Sequence, residues 1–182
     1  MLRLSNCSSG SQKIVSSFGQ ELDIMSSSDD AKRVANIIRA AFAGVTLGDG
    51  IGLRQANGLD DYADPRTLAS LRQQDEKHDW QAISFEDLDR FYCSLPFFDA
   101  EGMRFHLPAY LVADLAGALL TVDIIFHLVS VSGVESRFDN LSAAQRNAVR
   151  EYLLLRLSEG DREFDRSMIE AALSDFWRAE RS

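Results

Sequence analysis

The chain has 182 residues and a mass of 20.3 kDa, the size of one ordinary domain or one domain with a tail, since domains commonly run about 100 to 200 residues. Hydrophobic residues at 46% against 26% charged are enough for a packed core and exclude a disordered composition. Nineteen basic against 28 acidic residues give a formal net charge of −9, which argues against broad contact with nucleic acid or an anionic membrane surface.

Residues 1–28 are serine-rich and show no sustained hydrophobic period, so they read as a flexible tail ahead of a single helical domain over 29–182. They lack the continuous apolar stretch of about 7 to 15 residues that a secretory signal needs. Met25, followed by Ser-Ser-Ser-Asp-Asp, offers an alternative initiator to Met1. From Asp30 onward Val34, Ile37, Ile38, Ala41 and Phe42 share one helical face, with Ser28 or Asp29 as cap and Gly44 as terminator. The glycine-dense Val45 to Leu53 is a connection. Leu53, Ala56 and Leu59 predict a short helix, and a third helix follows over Arg66 to Lys77 with Leu68 and Leu71 inward. Ser84 and Asp87 form a capping pair for a helix that buries Leu88, Phe91, Tyr92 and Leu95.

Over residues 96–105 the Asp-Ala-Glu-Gly turn between short aromatic runs admits one short β-hairpin. Pro108 then suits the first turn of the next helix, whose face is Leu111, Val112, Leu115, Leu119 and Val122. Leu107 to Val129 has the length of a membrane span. Asp114, Asp123 and His127 argue against insertion, a central aspartate alone costing about 2.5 to 3.5 kcal/mol. Ser142 and Gln145 form a capping box for a helix carrying Val149, Tyr152, Leu153 and Leu157, and a last helix after Asp165 carries Ile169, Leu173, Phe176 and Trp177. The reading is a mainly α protein, a compact bundle of about seven helices. Cys7 and Cys93 cannot build a disulfide framework or a four-ligand zinc site, so the expected compartment is the cytoplasm.

The strongest signal is charge asymmetry: Asp60 to Glu101 holds 11 acidic and 4 basic residues, a net of −7 out of −9. Asp60, Asp61, Asp64, Asp75, Glu76 and Asp79, with Trp80 among the interleaved aromatics, are the candidate partner-binding residues. An acidic rim around aromatic anchors suits a basic protein partner, because charge complementarity steers association and buried aromatics hold the complex. If Asp75 to Trp80 were helical, Asp75 would lie beside His78 and Asp79, a weak candidate set for a divalent metal. The simpler reading of that segment is a solvated helix end with Trp80 anchoring it.

Leu-Gly-Asp-Gly-Ile-Gly-Leu could cradle a phosphate, but no Lys-Ser or Lys-Thr follows and Asp49 carries the wrong charge, so a tight connection with several positive φ angles is the better reading. His106 could act as a general base beside Asp99 or Glu101, or could simply satisfy a buried polar position. Cys93 lies in an apolar context that disfavours a thiolate. Asp114 and Asp123, set between apolar neighbours, must be paired with arginine, solvent-facing or functional.

Four blocks, VTLGDGIGLRQA, LRQQDEKHDW, FFDAEGMRFHLPAYLVADL and FDNLSAAQRNAVREYL, resemble a family of small uncharacterised bacterial proteins, a domain of unknown function. Residues Phe105 to Leu115 are the most distinctive, and the resemblance spans Val34 to Leu157. It implies a compact fold in a bacterial cytoplasmic protein and carries no mechanism.

The expected function is therefore an acidic cytoplasmic binding protein, an immunity-type neutralising partner of a toxin or another basic protein. A metal-dependent hydrolase using Asp75, His78 and Asp79 is the alternative from a different class, and a helical adaptor is the third. No cofactor, nucleic acid or membrane is expected.

Overall fold

The computed structural model describes residues 29–130, 135–159 and 165–178. The predicted tail 1–28, with Met25 and the Ser28 cap, lies outside the described residues. The first helix, α1, runs through residues 29–41. It is followed by α2 (Leu53–Asp60), α3 (Pro65–Gln74), α4 (Phe85–Arg90), α5 (Ala100–Leu115), α6 (Ile124–Val129), α7 (Ala143–Ser158) and α8 (Arg166–Ser174). Three 3-10 turns, Trp80–Ala82, Leu95–Phe97 and Glu135–Phe138, link them, and no strand occurs among the described residues. The mainly helical reading holds.

The centre is α5. Eleven of its sixteen residues are buried, as expected of a helix that is apolar all round and therefore enclosed by neighbours. It touches α4, α6 and the first and third 3-10 turns, while α8 closes over α6 and α7. Val34, Ile38 and Phe42 of α1 and the turn after it are fully buried, as their three- and four-residue spacing requires. The Ser142–Gln145 capping box forms in both directions at 3.3 and 3.0 Å. Two tryptophans tie turns to the core, Trp80 Nε1 donating to the Phe42 carbonyl and Trp177 Nε1 to that of Leu128.

Several local expectations are corrected. The hairpin at 96–105 is absent: a 3-10 turn leads to Asp99, whose carboxylate caps α5 by accepting the Gly102 N–H at 2.8 Å. That cap starts the helix at Ala100, so Pro108 sits inside it rather than in its first turn. α5 then ends at Leu115, the chain turning through Gly117 in the left-handed region at φ +66°, so Leu119 and Val122 lie beyond it. Tyr92 is exposed, the short α4 ending before it. In the last segment α8 stops at Ser174, and Phe176 and Trp177 meet edge to face in the turn that follows.

The helix expected over Arg66 to Lys77 ends at Gln74, because Asp75 turns to extended backbone, ψ 143°, and is drawn to the start of α2. α3 is an outer helix with no fully buried residue. Leu71 and Leu68 close on Gly58 of α2, where a Cβ would lie 2.5 Å from Leu71 Cδ1.

Candidate functional site

The glycine connection decides how the site is built. Gly48 does adopt a positive φ of +54°, but Gly50 and Gly52 do not, and space is the reason for both. A Cβ on Gly50 would meet the Gly102 nitrogen at 2.6 Å, and one on Gly52 would meet Asp75 Oδ2 at 2.0 Å. The loop therefore lies directly on the first turn of α5, and Asp75 closes over the N-terminus of α2. Asp75 accepts the N–H groups of Arg54 at 2.7 Å and Gln55 at 3.3 Å. This carboxylate, supplied from about twenty residues downstream, occupies the place where a helix N-terminus would take a phosphate.

Beside Asp75 is a cleft of about 210 Å³, lined by Arg54, Asp87, Glu76, Ser84 and His106 among others. Arg54 Nη2 bonds Asp87 Oδ2 at 3.0 Å, and its guanidinium lies over the Phe91 ring at 5.0 Å. His106 is 1% exposed and stacks on Phe98 with centroids 4.3 Å apart. Its Nδ1 lies 2.7 Å from the Gly102 carbonyl oxygen. A carbonyl only accepts, so Nδ1 carries the proton and Nε2 keeps a lone pair. Burial lowers the His106 pKa to about 4 against the pull of that carbonyl, so the ring is neutral at physiological pH. Burial also raises the Asp75 carboxyl, outweighing the two N–H groups it accepts. His106 is thus oriented by a carbonyl, and Asp99 is committed to capping α5 and to the Ile51 N–H.

The residues expected at a partner surface divide in two. Asp75 and Trp80 face inward, Trp80 at 3% exposure, and both are corrected to structural roles. Glu76 Oε1 accepts the N–H groups of Lys77, His78 and Asp79, which holds its carboxyl below its ordinary value. Asp79 caps the Trp80–Ala82 turn through the Gln81 N–H. Because this segment is a turn, Asp75 does not stand beside His78 and Asp79, and among the described residues no three metal-ligating side chains converge. The metal set Asp75, His78, Asp79 is therefore not assembled.

Asp60, Asp61 and Asp64 remain on the outer turn between α2 and α3. Asp64 caps α3, and its bond from the Thr67 hydroxyl, with the Thr67 and Arg66 N–H groups, lowers its pKa. Asp61 accepts from Asn57 Nδ2 at 3.0 Å. Between them Tyr62 is 95% exposed with φ +54°. Its N–H bonds the Leu59 carbonyl and that of Ala63 bonds Gly58, the Schellman closure of a helix with tyrosine in the position glycine favours.

Elsewhere Asp114 is paired: Tyr152 Oη, Arg156 Nε and Arg156 Nη2 all donate to its Oδ2. Asp123 is exposed and caps α6. Burial raises the Cys93 thiol, against use as a nucleophile. Sequence reasoning missed Arg54, Asp87 and Ser84 as neighbours of His106. Their only sequence signal was polarity, and they meet through three separate helices or caps.

No helix among the described residues is long and apolar enough to cross a membrane. No curated protein and no solved structure matches the chain. A model of a family of unknown function, DUF6714, matches residues 30–181, spanning the resemblance and reaching past it through α8. The chain belongs to the DUF6714 family.

Proposed function

We propose that this protein is an acidic binding domain for a basic protein partner, in its most specific form an immunity-type neutraliser, and that the Asp60–Asp64 turn presents the contact. The observation that carries this reading is Tyr62. A non-glycine residue in the left-handed region costs on the order of 1 kcal/mol, and here that cost fixes a tyrosine 95% exposed between Asp61 and Asp64. Folding alone gains nothing from such a side chain. Backbone strain at an exposed position is a reason to look for function, and tyrosine is among the side chains that dominate interface energetics. The acidic neighbours supply steering toward a positive surface. A helical adaptor uses the same surface and differs only in the partner it meets.

The test is capture from a lysate of the source cell on immobilised full-length chain, followed by identification of the captured protein and its isoelectric point. Tyr62→Gly should stabilise the fold by about 1 kcal/mol and yet lose the partner. Asp61→Asn should weaken capture mainly at low salt, where surface charge is least screened. Capture of a basic protein that is indifferent to both changes would sink this assignment of the surface, and a captured protein of acidic or neutral character would sink the charge argument.

A further inference from the structure

Three side-chain polar atoms are buried without a hydrogen-bond partner among the described residues: Arg72 Nη1, Arg104 Nε and the Tyr110 hydroxyl. The two arginines are only half-buried, and Arg72 spends its other terminal nitrogen on the Gly48 carbonyl at 2.8 Å. Tyr110, in the middle of α5, is wholly enclosed at 0% exposure. A buried phenol ordinarily finds a partner for its O–H, because a dry, unpaired hydroxyl forfeits the bonds that water would make. Burial, and after it the Asp89 carboxylate of α4, pushes this phenol above its ordinary range.

Asp89 has a second engagement. Its Oδ1 accepts the N–H groups of Leu120 at 2.8 Å and Thr121 at 2.7 Å, and its Oδ2 accepts the Thr121 hydroxyl at 3.3 Å. These residues belong to the link between α5 and α6. The link leaves α5 through Gly117 at φ +66° and ends at Asp123, the cap of α6. Leu120 on it is 89% exposed, while Leu119 and Val122 are partly buried against the core. One carboxylate on another helix thus fastens a short segment with few apolar contacts, which is the kind of segment that opens ahead of the global fold.

We infer that residues 118–123 form a strap pinned by Asp89, turning at Gly117, and that its opening lets water reach the Tyr110 hydroxyl. The closed form holds the bonds to Asp89 and the contacts of Leu119 and Val122, and leaves the phenol unpaired. The open form gives up those bonds and contacts and hydrates the phenol. That exchange brings the two states close in free energy, as a conformational switch requires. The strap is independent of the partner reading above.

The experiment is amide hydrogen exchange of the full-length chain, followed residue by residue by NMR, in wild type, Tyr110→Phe and Asp89→Ala. Val149 and Leu153, fully buried in α7, exchange through global unfolding and serve as reference. Phenylalanine keeps the ring and removes only the unpaired hydroxyl, so it favours every state in which position 110 stays dry. The reference amides should slow in Tyr110→Phe, and the Leu120 and Thr121 amides should slow with them, by about threefold or more. Asp89→Ala should speed Leu120 and Thr121 about tenfold or more, with protected α7 amides showing that the variant folds. Reference amides that slow while Leu120 and Thr121 stay unchanged would overturn the inference, since the strap would then open without wetting the phenol. Unchanged exchange of Leu120 and Thr121 in a folded Asp89→Ala variant would overturn the pin. Faster exchange of the reference amides in Tyr110→Phe would also refute the inference, because it would mean that the closed fold depends on a bond from that hydroxyl.

Discussion

Substituting Gly52→Ala probes the contact on which the cleft is built. The Gly52 backbone is ordinary extended chain, φ −81° and ψ 167°, so alanine is allowed by conformation and forbidden only by space. Its Cβ would lie 2.0 Å from Asp75 Oδ2 and 2.3 Å from Asp75 Cγ, and the carboxylate must leave. Two N–H bonds to that carboxylate are then lost, those of Arg54 and Gln55. Hydrogen bonds to a charged group contribute about 1.5 to 3 kcal/mol each; water reaching the freed helix end recovers part, and the smaller unfolded-state entropy of alanine returns about 0.4 to 1 kcal/mol. The expected loss is about 2 to 4 kcal/mol, or roughly 5 to 15 °C in Tm for a chain of this size. Urea unfolding of Gly52→Ala, Asp75→Ala and the double variant measures it as a cycle. With Asp75 already truncated, the clashes with Oδ2 and Cγ are gone and only that with the remaining Cβ, at 2.7 Å, persists, so Gly52→Ala should add clearly less than it costs alone. Additive losses, or a Gly52→Ala variant as stable as wild type, would refute the account of both residues.

The pH dependence of stability follows from His106. Its folded pKa, lowered to about 4 by burial, lies below the unfolded value near 6.5. The unfolded chain therefore takes up a proton that the folded one refuses, and stability falls as pH drops from about 6.5 toward 4, by on the order of 3 kcal/mol in full. The half-buried His127, also lowered by desolvation, acts in the same direction, and Asp75, raised by burial, acts in the opposite one. His106→Phe, which keeps the stack on Phe98, should flatten the slope in that window; an unchanged slope in urea titrations at stepped pH would contradict the assignment. The Asp114 cluster predicts a different asymmetry. Arg156→Leu strands a carboxylate whose side chain is 16% exposed and should cost about 3 to 5 kcal/mol, while Asp114→Leu with Arg156→Leu should recover much of it. A double variant less stable than the single, by thermal unfolding, would show that Asp114 does not need Arg156.

Local signals were legible wherever the side chain and its backbone partner are neighbours. The Ser142–Gln145 box, the Ser84 cap, the α1 face through Val34, Ile38 and Phe42, and the mainly helical class follow from spacing alone, because each depends on contacts within one or two turns. The errors share one cause. Asp99 reads as part of a turn, and only its bonds to Gly102 and, 48 residues away, to Ile51 make it the start of a helix that carries Pro108 through its interior. Asp75 reads as one more solvated acid and is the distant cap of α2. The acidic density from Asp60 to Glu101 shows the same ambiguity: Asp64, Asp75, Glu76, Asp79, Asp89 and Asp99 each accept backbone N–H groups, which no count of charges can reveal. Composition and periodicity by themselves determined that this chain is acidic and mainly helical. Only the tertiary structure decided which carboxylates hold helix ends and which face a partner, and it brought Arg54, Asp87 and His106 to one cleft, because a hydrogen-bonding group is committed by what folds against it and not by its place in the chain.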